Sequence, residues 1–464
     1  MRTVVVLDVV GLTPKALRHM PRLSAFADGG SRARLDPTFP AVTCTVQASM
    51  LTGLTATDHG IVGNGWYFRD LGEVLLWRQH NRLVRGEKVW DAARRAAPDY
   101  TVANLCWWYA MGAETQTLLT PRPIYHADGK KSPDAYTRPP ELHDRLVREL
   151  GDFPLFTYWG PTADITSSRW IARAARQVLD TDRPDLMLVY LPHLDYDHQR
   201  FGPDGPEAAA AAAELDEVLA PLLDACLASG AAVVALSEYG ITPVSRPVDV
   251  NRALRRAGLL EVHTQAGMEY LDPWTSGAFA VADHQVAHVY VRDPARTEAV
   301  RSLLAALPGV AAVLDGPGKA AVGVDHERSG ELVLVAAPEA WFTYYYWLDD
   351  ARAPDFARGV EIHRKPGYDP AELFFDPADK LVKAKAAATL LRKKAGLRYA
   401  MSVVPLDPSP VRGSHGRLPG ESDADDSPVL LCSVPDAVPD RLPATAVKEL
   451  LLRLAEVEPA DVLP

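Results

Sequence analysis

Three short apolar runs constrain this chain more than any other feature. They are "TVVVLDVVG" (Thr3 to Gly11), "DLMLVYLPHLD" (Asp185 to Asp195) and "AAVVALSEYG" (Ala231 to Gly240), and each carries an acid at or near its end: Asp8, Asp195 and Glu238. A short, nearly continuous apolar run is the pattern of a strand buried on both faces. "PEAAAAAAELDEVLAPLLDACLAS" stands between the second and third runs and reads as a helix by propensity and period. A further helical stretch is expected around Thr13 to Asp28. Strands alternating with helices predict an α/β fold with a mostly parallel sheet flanked by helices. Ligands of such folds bind at the carboxyl ends of the strands, where the three acids are expected.

The length of 464 residues exceeds one small core. From about Ile241 the texture changes: "AHVYVRD", "ARTEAVRSLLAAL" and "GVAAVLDG" read as a small α+β unit. The expected organisation is a core formed by 1–244 and 401–464, with 245–400 as an inserted, smaller α+β region that selects substrate. The net charge of -11 argues against a nucleic-acid polymer as partner, which needs a basic face, but leaves room for a small phosphorylated substrate in a local pocket. Cys44, Cys106, Cys226 and Cys432 are scattered and form no CxxC, which points to a reducing, cytoplasmic compartment. No run of about 18 apolar residues exists, so no membrane span is expected, and the first residues lack the apolar region of a signal peptide.

"LDPTFPAVTCTVQASMLTGLTATDHGIVGN" (Leu35 to Asn64) sets Thr43 in front of a short apolar stretch that stops at Gly53. The plain reading of Thr43 is a helix N-cap, with Gly53 past the C-terminus. Other pieces follow in order: "DYDHQRFGP" after the second run, "SEYGITPV" after the third, and "GSHG" (Gly413 to Gly416) late in the chain. Together they resemble the alkaline phosphatase superfamily, most closely its type I phosphodiesterase and nucleotide pyrophosphatase branch. The resemblance covers about 1–245 and resumes at 413–416. It implies a nucleophilic Thr43, an Asn64 that contacts a phosphoryl oxygen, and two divalent metal ions, usually zinc. It implies Asp8, Thr43, Asp195 and His415 among the metal ligands. The activity it implies is metal-dependent phosphoester hydrolysis, on a phosphodiester or pyrophosphate. Phosphonate hydrolysis or a phosphomutase on the same scaffold is an alternative, and so is a non-catalytic ligand-binding descendant.

The departures fall on metal positions. Aligned on Gly202 and Pro203, the family's histidine falls on Gln199, with His198 one residue earlier. The family's "SDHG" is "SEYG" here, so Glu238 and Tyr239 stand at two ligand positions. Amide, phenol and carboxylate oxygens are harder donors than imidazole, which favours Mg²⁺ or Mn²⁺ over Zn²⁺. His193, His198, Asp283, His284 and His288 are candidates to repair the site, and His284 in "VADHQVAH" is the most informative, although a lone histidine is usually structural. "HRKPGYDP" (His363 to Pro370) reads as a turn, either a surface turn or one that holds an anion. "WFTYYYW" (Trp341 to Trp347) reads as core packing before it reads as a pocket wall.

Overall fold

The computed structural model describes residues 1–127, 131–395, 401–420 and 423–457. Residues 396–400 and 458–464, which the expected organisation assigned to insertion and core, lie outside those described. Val4–Val9 is the middle of a nine-stranded sheet. It lies parallel to Leu186–Leu191 on one side and to Ala232–Leu236 on the other. Val102–Leu105 and then Thr117–Pro121 extend the parallel block beyond Leu186–Leu191. Ala135–Arg138 closes that edge in the antiparallel sense. Val429–Cys432 pairs antiparallel with Ala232–Leu236, and Ser31–Asp36 and Arg441–Pro443 complete the far edge.

Why those runs are apolar throughout follows from their neighbours. Side chains of a strand alternate between faces. Val5, Leu7 and Val9 enter a core shared with Pro21–Asp28, Ile165–Thr181 and Pro206–Ala228. Val4 and Val6 enter the opposite core, shared with Thr43–Thr52, Val89–Ala96 and Val447–Leu454. Both faces are covered, so no position along the strand tolerates a polar residue until the chain reaches its carboxyl edge.

Residues 278–336 hold a four-stranded antiparallel sheet in the order Ala278–Asp283, Val286–Val291, Leu332–Ala336, Val310–Leu314, with the helix Thr297–Ala305 before the edge strand Val310–Leu314. Phe342, Tyr344, Tyr345, Tyr346 and Trp347 are buried in its core. All four cysteines are buried and unpaired. Among the described residues no helix is long and apolar enough to cross a membrane.

Two expectations about elements are corrected. The helix expected over Thr13 to Asp28 is two short helices, Pro14–Leu17 and Pro21–Asp28, because each proline starts a new first turn. The second apolar run does not carry Asp195 as a strand residue. The strand stops at Leu191, and Asp195 sits in the first turn of the helix His193–Phe201 that begins after Pro192.

Candidate active site

Thr43 is the first residue of the buried helix Thr43–Thr52 and not its N-cap, which is the extended Val42. Its hydroxyl serves no backbone N–H. It lies 3.1 Å from the Tyr239 phenol oxygen. The expected stop at Gly53 is present, with φ of 75°, a left-handed conformation that glycine adopts without a Cβ penalty.

On one side of Thr43 stand two carboxylates. Asp8 is in register with Leu236, so Glu238, two residues further, reaches the same edge of the sheet. Gln47, one helical turn after Thr43, donates its two amide hydrogens to Asp8 Oδ2 (2.9 Å) and Glu238 Oε1 (3.0 Å). Its own Oε1 accepts the Trp108 backbone N–H at 2.8 Å, which fixes which way the amide faces. Asp8 Oδ1 and Glu238 Oε2 are buried without a partner. Burial pushes Asp8 well above the usual carboxylate range, the Glu238 charge adding to it, and burial pushes Glu238 up to about 7.

On the other side the groups form a chain. Tyr239 reaches Asp195 Oδ1 at 3.5 Å, a long contact. Gln199 donates to Asp195 Oδ2 at 2.8 Å, and the Tyr368 hydroxyl donates to Gln199 Oε1 at 2.8 Å. Burial pushes Asp195 up to about 7, opposed by the Gln199 hydrogen bond. Positions 195 and 199 share one helix face, whereas 198 points about 100° away from 199. His198 therefore does not join this group, contrary to its candidacy as a ligand. It lines a cleft with Thr13, Lys15 and Asp204, and burial holds it down at about 4. His193 is buried near Glu214, and His288 bonds the Val62 carbonyl oxygen, so neither repairs the centre.

Four rings stack beside these groups. Tyr239 lies face to face with His415 (centroids 3.5 Å, 6°), His415 against His284 (3.7 Å, 37°), and His284 against Tyr368 (3.6 Å, 22°). His415 is placed by the Ala41–Gly416 bridge and by Ser414 opposite Thr242. Its Nδ1–H donates to the Ala41 carbonyl at 2.9 Å, which leaves the Nε2 lone pair buried and unpartnered. His284 sits at the tip of the hairpin between Ala278–Asp283 and Val286–Val291, with φ of 59°. Its Nδ1 contacts Asp283 at 2.8 Å and its Nε2 is also unpartnered. Burial holds both imidazoles well below their ordinary range, so both are neutral near pH 7.

Asp283 also accepts the Asn64 backbone N–H (2.7 Å) and side-chain amide (3.0 Å), while Asn64 Oδ1 accepts the Cys44 N–H (3.0 Å). Asn64 thus faces the first turn of the Thr43 helix with one amide hydrogen to spare. The segment His363 to Pro370 is not a plain surface turn: residues 365–370 are buried and only Arg364 is exposed. Lys365 is 1% exposed and its ammonium is neutralised by Asp369 and Glu372, each at 2.7 Å. That buried triad anchors the stretch that carries Tyr368.

The structure therefore brings together Thr43, Asp8, Glu238, Tyr239, Asp195, Gln199, His415, His284 and Asn64. The sequence reading missed Gln47 and Tyr368. Gln47 had a signal, its position four residues after Thr43. Tyr368 had none. Among the described residues, no three or more His, Cys, Asp or Glu side chains already converge on a metal position. The orphaned oxygens of Asp8 and Glu238 fit one hard cation completed by the Thr43 hydroxyl and small oxygen ligands.

A mostly parallel sheet with carboxylates and a threonine-led helix at its carboxyl edge defines an alkaline phosphatase-like α/β fold. The chain belongs to the type I phosphodiesterase / nucleotide pyrophosphatase family, whose profile matches residues 4–369. It is 26% identical over 290 residues to an uncharacterized pyrophosphatase/phosphodiesterase of Schizosaccharomyces pombe, covering 60% of this chain and 51% of that protein. The chain thus spans about half the length of that curated relative. Among solved structures it resembles murine ectonucleotide pyrophosphatase / phosphodiesterase 5, in an inactive variant bound to AMP, with TM-score 0.58 and 14% identity over 100% of this chain and 96% of that one. It also resembles phosphonoacetate hydrolase from Sinorhizobium meliloti bound to phosphonoformate, with TM-score 0.60 and 16% identity over 98% of this chain and 96% of that one. At these identities the likeness concerns the fold.

Proposed function

We propose that this chain is a divalent-cation-dependent phosphoester hydrolase that acts on a phosphodiester or pyrophosphate, with Thr43 as nucleophile. The observation that carries the reading is the Thr43 hydroxyl at the open end of a buried helix, between a carboxylate pair with two free oxygens and a phenol–carboxylate pair. Asp8, Glu238 and Thr43 would hold the cation, which supplies Lewis-acid charge that favours the threonine alkoxide. Family membership and the phosphorylated or phosphonate ligands of the structural neighbours support this substrate class.

The chain's own groups do the rest. Thr43 Oγ1 passes its proton toward Tyr239 and on to Asp195, whose value of about 7 lets it accept one near neutrality. Thr43 Oγ1 then bonds to phosphorus and the leaving oxygen departs, giving a phosphothreonine that water hydrolyses. The free Asn64 amide hydrogen and first-turn N–H groups stabilise the non-bridging oxygens. Thr43 is 3% exposed, so substrate entry requires side chains around it to move. Trp77 and Trp159 pack against Tyr368, and Trp77 also packs against Trp108; all three tryptophans are half-buried. A cytoplasmic location belongs to the same reading, supported by four buried, unpaired cysteines.

The test is a panel of phosphodiesters, pyrophosphates, phosphomonoesters and phosphonates assayed with Mg²⁺, Mn²⁺ and Zn²⁺. Thr43→Ala is expected to lower turnover by roughly 10³-fold or more, the scale for removing a nucleophile. It should leave folding nearly intact, since one hydrogen bond is worth about 0.5–1.5 kcal/mol. Turnover within a few-fold of wild type would remove Thr43 from the reaction. Tight ligand binding with no turnover on any substrate would instead favour a binding protein.

A further inference from the structure

The three positions that depart from the family pattern are not independent losses. Each has acquired a partner. Glu238 receives one amide hydrogen of Gln47, Tyr239 meets Thr43 and Asp195, and Gln199 lies between Asp195 and Tyr368. On the Asp195 side these partners consume what a cation would need. The Gln199 nitrogen that faces Asp195 is a donor and cannot bind a cation, and its oxygen is capped by a phenol. His415 retains a free Nε2, but its ring is covered face to face by Tyr239 at 3.5 Å and, at a tilt of 37°, by His284 at 3.7 Å. Imidazole lone pairs lie in the ring plane. The His284 and His415 rings overlap with centroids only 3.7 Å apart, too close for two imidazoles that point their lone pairs at one tetrahedral ion.

The Asp8 side is the opposite. Gln47 uses both amide hydrogens to hold one oxygen of each carboxylate, and the Trp108 N–H prevents the amide from flipping. The remaining oxygens, Asp8 Oδ1 and Glu238 Oε2, belong to side chains with no exposed surface and have no partner. Outer hydrogen bonds of this kind are what orient ligating carboxylates.

We propose that the second cation of the two-metal centre has been replaced by the hydrogen-bonded chain Tyr368–Gln199–Asp195–Tyr239–Thr43, which leaves a centre for a single divalent cation at Asp8 and Glu238. The far end of that chain is firmly built. Tyr368 stacks on His284, its backbone N–H donates to the Ala282 carbonyl at 2.9 Å, and the Lys365–Asp369–Glu372 triad holds its segment in the interior. An oxygen-only donor set favours Mg²⁺ or Mn²⁺ over Zn²⁺. The inference deepens the proposed cation dependence but does not rest on turnover, so the two fail separately: cation number is read without substrate.

The experiment strips the full chain with chelator, titrates it with Mn²⁺ by calorimetry, and counts bound metal by mass spectrometry after desalting. The expected result is one ion per chain. Asp8→Asn should weaken binding by about tenfold or more, and Asp195→Asn should leave it within about twofold, by the usual size of ligand effects on metal affinity. Glu238→Gln serves in place of Asp8→Asn if that variant does not fold, as judged by its melting curve. Two ions per wild-type chain, no ion at all, or a loss of binding in Asp195→Asn with none in the Asp8 or Glu238 variant overturns the proposal.

Discussion

On one side of Thr43, Asp8 and Glu238 share the two amide hydrogens of Gln47 and keep one free oxygen each. On the other side, Asp195 takes a hydrogen from Gln199 and a long contact from Tyr239, and Gln199 is itself capped by Tyr368. Both sides are buried, and both hold a carboxylate raised to about 7 by that burial. The difference is in who supplies the compensating positive charge. The Asp8 side leaves oxygens that only a cation or a shared proton can satisfy. The Asp195 side meets its charge with neutral donors, Gln199 and Tyr239, and Gln199 is held in turn by Tyr368. On the proposed reading, the scaffold keeps Thr43 and its strand-end acids while hydrogen bonding replaces metal ligation on one side alone.

The largest expected effect breaks the hydrogen-bonded side from a distance. Lys365→Met leaves Asp369 and Glu372 buried without their cation, and removing one partner of a buried ion pair costs about 3–5 kcal/mol. Denaturant unfolding should register that loss, and Mn²⁺ affinity at the Asp8 side should change far less in protein that remains folded. A loss of stability under about 1 kcal/mol would mean that the triad does not anchor Tyr368.

A smaller effect sharpens the cation side. Gln47→Ala frees Asp8 and Glu238 to rotate and should weaken Mn²⁺ binding about 10–100-fold in a calorimetric titration of folded protein, with a lower melting temperature because three hydrogen bonds to buried groups are lost. Tighter binding in this variant would mean that the amide occupies the cation's place instead of orienting its ligands.

The smallest effect belongs to histidines outside both sides. His59 accepts the Ile61 N–H and meets Ser49 Oγ at 2.9 Å, and burial lowers it to about 3; His288 is lowered to about 4 for the same reason. An unfolded histidine titrates near 6.5. Between pH 6.5 and those lower values the unfolded chain binds the extra proton, so stability is present above about 6.5 and is lost as pH falls toward 4. Each such group contributes a slope of about 1.4 kcal/mol per pH unit in that window. Urea unfolding at pH 7 and pH 5 should therefore show a shallower loss in His59→Gln than in the parent chain. Identical slopes would mean that His59 is not held neutral in the folded state.

What could be read from the sequence follows the range of the physical signal. Asp8 and Glu238 were legible because buried parallel strands end abruptly, and an acid at such an end has one place to go. Asp195 was legible as a residue but not as part of a helix, because Pro192 ends the strand inside what looks like one run. Gln47 could have been found from its helical spacing to Thr43. His198 was misplaced because sequence adjacency to Gln199 conceals a 100° rotation on the helix. Tyr368 and the Asp283 grip on Asn64 could not be found, since they join residues 169 and 219 positions apart with no local period to announce them.

Phosphorylation of Thr43 during turnover is the central event of the proposed reaction. Rapid acid quench of the full chain during turnover with a hydrolysed phosphodiester or pyrophosphate, followed by peptide mass spectrometry, reads this step. The predicted result is a phosphate adduct on the peptide that contains Thr43, absent from Thr43→Ala and from protein without divalent cation. An adduct on another residue, or steady turnover with no adduct at any time point sampled and full activity in Thr43→Ala, would contradict it.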